Sequence, residues 1–286
     1  MKNYKKFIHY FSKNKNKIAF ETINKKIKYL DLIKLSKSKI NFEKKIILIL
    51  VDNYYDSILL YSISIITNNI IIIVDYKDDI HYLKLLNMKY KPTYILFPKK
   101  KSKKIDFVKK VNINFENSIL VETNNNNENL NSINKVLLST SGTTGSPKMV
   151  RLSEKNLISN SLSICSYLKI SFLNKCITTL SPSYSYGLSI INTHLVKGAK
   201  IFISEEKITS LNFWKLIEKN SVDSISLVPS QFEILFKYNF FNKKLKKIKY
   251  MPSAGGMLKE KILNYLRIFS KKNNIRFYVM YGQTEA

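Results

Sequence analysis

From Ile46 onward the chain alternates short, wholly apolar runs with segments of helical length. Ile46–Val51 and Ile70–Val74 are continuous apolar runs, Tyr54–Ile66 lies between them, and Asp75 closes the second. Strands that are apolar throughout, rather than at every other position, belong to parallel sheets buried on both faces, so this stretch predicts a βαβ unit. A helix over about Asp79–Asn87 and a strand over about Thr93–Phe97 continue it. The theme returns with a strand at Val136–Leu138 and a helix at Leu152–Leu168, entered through Ser153 as N-cap. Strands at Cys176–Leu180 and Ala199–Ile203 follow, then a helix at Leu211–Lys219 with Phe213 and Trp214 as core contacts. Ser224–Val228 reads as a strand stopped by Pro229, Ile248–Met251 as a strand, Met257–Phe269 as a helix and Ile275–Met280 as the last strand. The pattern predicts an α/β fold of mainly parallel sheets covered by helices, whose ligands sit beyond the C-terminal ends of strands.

Composition narrows the class. With 286 residues, 45% of them hydrophobic, the chain can bury a substantial core. The Asn-rich segment 123–131 cannot bury apolar area and reads as a surface connection, dividing the chain into 1–122 and 132–286. The formal charge of +28 would suit a nucleic acid or an anionic surface, but arginine occurs only at positions 151, 267 and 276. Phosphate and base recognition favours arginine's bidentate fork, so no specific nucleic-acid partner is expected. Lysine, asparagine and isoleucine are inflated together, as AT-rich coding would produce. The lysine-rich N-terminus has no apolar signal region, and the uncharged stretch Ser57–Val74 is broken by Asn68-Asn69, so no transmembrane segment is expected. Cys165 and Cys176 make no disulfide framework, and His9, His81 and His194 are scattered. These features suit a soluble, reduced, cytoplasmic protein.

The densest chemistry lies at Ser139–Lys148, STSGTTGSPK, directly after a predicted strand. Glycines allow backbone N–H groups to close on an anion, hydroxyls add donors, and Lys148 adds positive charge. It is not a Walker A loop: in that frame Pro147 replaces the second glycine and Met149 the metal-binding hydroxyl.

This loop, followed about 130 residues later by Tyr281-Gly282-Gln283-Thr284-Glu285, resembles the adenylate-forming superfamily of acyl-CoA synthetases, peptide-synthetase adenylation domains and luciferases. Leu180–Leu188 (LSPSYSYGL) resembles its segment beside the acyl pocket, and Ala254-Gly255-Gly256 its Gly-rich strand end beneath adenine. The resemblance implies an incomplete N-terminal domain spanning 1–286, without the C-terminal lid domain. It also implies an AMP-forming acid–thiol ligase that activates a carboxylic acid, a fatty acid among the candidates, using ATP and Mg²⁺. The acyl acceptor would be CoA or a phosphopantetheine carrier protein, and a separately encoded C-terminal part would be a partner. On the same basis Thr140, Ser141, Gly142, Thr143, Thr144, Gly145 and Lys148 would hold the pyrophosphate portion of ATP. Thr284 would contact the α-phosphate, Glu285 would ligate Mg²⁺, and Tyr281 would stack on adenine above Gly255 and Gly256. Lys148, Thr284 and Glu285 would be the catalytic residues.

Three departures from the family pattern stand out. Met149 follows the loop lysine, Ser153-Glu154 replaces Ser-His, and Tyr184 replaces a histidine near the acyl pocket; the sequence also stops just after the YGQTE motif. A competing reading is therefore a truncated or degenerate chain that binds nucleotide without turnover.

Overall fold

The computed structural model describes residues 6–40, 43–52, 54–76, 79–99, 108–125, 133–139, 149–240 and 245–285. In chain order the first elements are α1 (Phe7–Lys13), β1 (Ile18–Glu21), β2 (Lys26–Lys28), α2 (Tyr29–Ser38), β3 (Ile46–Val51), α3 (Tyr54–Ile65) and β4 (Ile70–Asp75). Next come α4 (Ile80–Tyr90), β5 (Tyr94–Pro98), β6 (Val108–Asn114), β7 (Ser118–Thr123), β8 (Asn134–Ser139), β9 (Met149–Ser153) and α5 (Glu154–Leu168). The rest are β10 (Lys175–Ile177), α6 (Ser185–Lys197), β11 (Lys200–Phe202), α7 (Leu211–Lys219), β12 (Ser224–Ile225), α8 (Pro229–Lys237), β13 (Tyr250–Ser253), α9 (Glu260–Lys272) and β14 (Arg276–Val279).

Among the described residues these strands form two mainly parallel sheets. Sheet A has the order β14-β13-β12-β10-β11-β1-β2 and sheet B the order β6-β7-β5-β3-β4-β8-β9. Antiparallel pairing is confined to the edges, at β1/β2, β5/β7, β6/β7 and β8/β9. The predicted βαβ unit is present as β3–α3–β4, with Ile46 opposite Ile70 and Val51 opposite Asp75. The sheets exchange strands across the Asn-rich segment: β1 and β2 join sheet A, while β8 and β9 join sheet B.

Side-chain alternation on these strands builds five layers. Ile47, Ile49, Ile71 and Ile73 face inward, where helices α1, α2, α3, α5 and α6 pack between the sheets and meet Phe20 and Ile201 of sheet A. Leu48, Leu50, Ile72 and Val74 point the other way onto Leu83 and Leu86 of α4. The outer face of sheet A is covered by α7, α8 and α9 through Phe213, Phe232 and Leu266. Helix α3 is therefore buried from Asp56 to Ile65, and its Tyr61 hydroxyl donates to Asn192 Oδ1 of α6 at 2.8 Å. The uncharged stretch 57–74 is accounted for by this helix, a turn and β4. Among the described residues no helix is long and apolar enough to cross a membrane.

Several boundaries differ from the sequence expectation. Pro229 does not merely stop a strand; it opens α8 at the first helical turn, where its missing N–H costs nothing. The strands expected at Cys176–Leu180 and Ser224–Val228 shrink to β10 and β12, because the chain leaves the sheet early into loops. Ser153 caps α5 as expected, accepting from Asn156 N at 3.1 Å. Phe213 and Trp214 are buried as expected.

Candidate functional site

Strands β13 and β14 run parallel in register from Tyr250↔Arg276 to Ser253↔Val279, and Met280 N donates to Ser253 O at 2.8 Å. Their C-terminal ends deliver Ala254-Gly255-Gly256 and Tyr281–Glu285 side by side on one edge of sheet A. Gly255 has φ +87, and a Cβ there would overlap the Tyr184 hydroxyl and touch Val228 Cγ1 at 3.5 Å. Glycine at this position allows both the left-handed backbone and the close approach of Tyr184.

Tyr184 carries the Leu180–Leu188 segment to this edge. Its neighbour Tyr186 is buried, donates its hydroxyl to Pro252 O of β13 at 2.9 Å, and has its phenol pKa pushed up by burial. The Tyr281 ring is 90% exposed, and Gln283 Nε2 donates to its hydroxyl at 2.8 Å. Thr284 is half-buried and Glu285 exposed. Gly255 and Gly256 thus follow the end of β13, and Tyr281, Thr284 and Glu285 follow the end of the adjacent strand β14. Thr140, Ser141, Gly142, Thr143, Thr144, Gly145 and Lys148 lie outside the described residues. The residues flanking that loop, Ser139 and Met149, pair across β8 and β9.

Two carboxylates tie the sheets together at their C-terminal edges. Asp75, at the end of β4, accepts hydrogen bonds from Ser181 Oγ and Ser183 Oγ in the loop after β10, each at 2.5 Å. In the opposite direction, Glu205 beyond β11 accepts from Tyr54 N at 2.5 Å and so caps α3 of the other sheet. Burial raises the Glu205 carboxyl pKa, while the N–H groups of Tyr54 and Tyr55 pull it back. Burial, with the charges of Glu205 and Asp75, pushes the Tyr54 phenol up to about 12. A cleft of about 500 Å³ beside them is lined by Asp52, Tyr54, Thr178, Glu205, Glu206 and Gln231.

Among the described residues no group of three or more His, Cys, Asp or Glu side chains gathers as a metal site. Glu285 could serve Mg²⁺ as one carboxylate ligand, with phosphate oxygens and water completing the shell, which is how Mg²⁺ is commonly held. The exposed Tyr281 and the less crowded Gly256 likewise fit a flat base lying against the strand ends, whereas the space at Gly255 is taken by Tyr184.

Residues 96–286 match the family of AMP-binding enzymes, two-thirds of the chain. The chain belongs to this family. No curated protein sequence matches it. The AMP-binding chain resembles o-succinylbenzoate CoA synthetase (MenE) from Bacillus subtilis in complex with AMP, with a TM-score of 0.76 at 17% identity over 96% of this chain and 59% of that one. VinN in complex with L-aspartate gives 0.75 at 13% identity, covering 98% and 76%. The N-terminal subdomain of Klebsiella oxytoca NpsA, in complex with 3-hydroxyanthranilyl-AMSN, gives 0.72 at 14% identity, covering 98% and 72%. The fold is therefore that of the N-terminal domain of adenylate-forming enzymes, and the chain spans about three-fifths of MenE's length.

Asp75 and Glu205 carry no motif in the sequence, whereas Ser181 and Ser183 lie within the Leu180–Leu188 segment already noted there. The signal of the two acids is faint: a carboxylate just past an apolar strand.

Proposed function

We propose that this AMP-binding chain activates a carboxylic acid by adenylation, with ATP as the second substrate. A carboxylate oxygen forms a bond to the α-phosphorus as the bond to the bridging oxygen breaks and pyrophosphate leaves. A thiol, of CoA or of a carrier phosphopantetheine, then takes the acyl group and releases AMP. The observation that carries the reading is the shared edge of β13 and β14, where Gly255, Gly256, Tyr281, Thr284 and Glu285 emerge together. MenE's complexes with AMP and with ATP and magnesium support it by analogy of fold.

In this reading Tyr281 stacks on adenine, and the absence of a Cβ at Gly256 lets the base approach the backbone, beside the Tyr184 hydroxyl that Gly255 admits. Thr284 donates to the α-phosphate. Residues 140–145 and Lys148 hold the leaving pyrophosphate, whose charge must be neutralised for one anion to attack another. Glu285 holds Mg²⁺, which when bound supplies further neutralisation.

Acid-dependent exchange of labelled pyrophosphate into ATP tests this in the intact protein. Exchange is expected with at least one acid, and Glu285→Gln should lower it by about 10²–10³-fold, the usual effect of losing one charge-stabilising group. ATP binding without exchange over a broad acid panel would instead establish nucleotide binding without turnover.

A further inference from the structure

Asp75 ends β4, the strand paired with β8 through Ile73↔Leu138, and β8 leads directly into residues 140–148. Its carboxylate reaches out of sheet B to two hydroxyls belonging to sheet A's loop, Ser181 and Ser183, themselves 2.7 Å apart. The loop is tightly drawn: Tyr184 N donates to Ser181 O at 3.1 Å, and a Cβ on Gly187 would overlap that same carbonyl. The residue after Ser183 is Tyr184, whose hydroxyl stands over Gly255. A continuous set of contacts thus runs from the strand beside the phosphate loop to the Gly-rich strand end, and Asp75 is its one charged member.

We propose that Asp75 is a positioning residue. By accepting from Ser181 and Ser183 it fixes the 181–184 loop and thereby holds Tyr184 against Gly255, in the segment whose sequence resembles the one beside the family's acyl pocket. Hydrogen bonds from hydroxyls to a carboxylate are of the stronger, charge-assisted kind, so one acidic side chain can hold two loop residues. The kinetic consequence rests on the adenylating function proposed above; the structural consequence does not.

The test compares wild type with Asp75→Ala, Asp75→Asn and Ser181→Ala/Ser183→Ala in the intact protein, by amide hydrogen exchange and by pyrophosphate-exchange kinetics. Asp75→Ala should speed amide exchange at 180–188 about tenfold and raise KM for the acid by a similar factor, as loss of a charge-assisted bond would. KM for ATP should rise less than KM for the acid, because Tyr281, Gly256 and the phosphate-binding residues keep their own contacts while only the Tyr184 contact to Gly255 loosens. Asp75→Asn keeps an acceptor oxygen and should restore most of both properties. The serine pair should reproduce the Asp75→Ala effect, and combining the two should add nothing further. Unchanged exchange at 180–188, faster exchange throughout the chain, or additive effects would overturn the assignment. So would an unchanged acid KM alongside active wild-type enzyme. A wild type that exchanges pyrophosphate with no acid would overturn the adenylating reading and the kinetic half of this proposal. Amide exchange would still decide whether Asp75 holds the loop.

Discussion

Sheets A and B share one layer of helices but use their strands differently. In sheet B, β3 and β4 run six residues each, and Ile47 to Val51 and Ile70 to Val74 are buried almost without interruption. In sheet A, β10 and β11 run three residues and β12 only two, and buried Cys176, Ser224 and Ser253 occupy strand positions. Long apolar strands give sheet B most of its hold on the core, at roughly 1.5–3 kcal/mol for each fully buried large side chain. Short strands release sheet A's chain early into loops at the C-terminal edge, where Tyr184 reaches Gly255. The division between a stabilising sheet and the edge proposed to bind nucleotide follows from strand length and composition, and it can be broken from either side.

The largest effect should come from sheet B. Ile49 is fully buried and paired on both sides, by β4 and β5. Ile49→Ala should cost about 2–5 kcal/mol in denaturant unfolding, because the packed layers on either face cannot collapse into the gap.

Lys135 sharpens the comparison, as a buried lysine within the apolar sheet. Its Nζ donates to Thr67 O, and burial lowers its pKa from 10.5 to about 8, with Glu154 opposing the shift and Lys6 adding to it. A pKa lowered by folding means that the folded state disfavours the charged form. The stability tied to this group is full above pH 10.5 and is lost as pH falls through about 8. Wild type should therefore gain about 3 kcal/mol more than Lys135→Met when unfolding is compared at pH 8 and pH 10.5. Buried His194 in α6 has its pKa lowered chiefly by burial, so its contribution is present above the ordinary value near 6.5 and fades on acidification.

A smaller effect is expected at the edge of sheet A. Gly255→Ala places a side chain at φ +87 and against Tyr184, which should cost about 1–3 kcal/mol. Adding Tyr184→Phe removes the overlapping hydroxyl and should recover part of that loss, measured by the same unfolding curves.

The sequence made parts of this architecture legible and hid others for physical reasons. The runs at Ile46–Val51 and Ile70–Val74 announce themselves because both faces are buried, and Ser153 because its side chain caps a helix. Elements α1, α2, β1 and β2 were hidden because buried Phe7, Phe11, Phe20, Tyr29 and Leu32 are scattered among lysines. Helix α6 was masked by the motif at its start, since Ser185, Tyr186 and Gly187 read as loop chemistry. The hairpin of β6 and β7 escaped because β6 is largely exposed and lysine-rich, a common device for blunting a sheet edge. At the site, the order of glycines, Tyr281 and Glu285 was readable as a motif. The Asp75 bonds to Ser181 and Ser183 were not, because they join residues more than a hundred positions apart.

Calorimetric titration of ATP and Mg²⁺ into wild type and Tyr281→Ala tests most directly whether the β13/β14 edge is the nucleotide site. Because the ring is 90% exposed, its removal should leave unfolding unchanged. The account predicts ATP binding about tenfold weaker in the variant, as expected when an aromatic face stacked on a base is lost. Equal ATP affinity in the two proteins would contradict it.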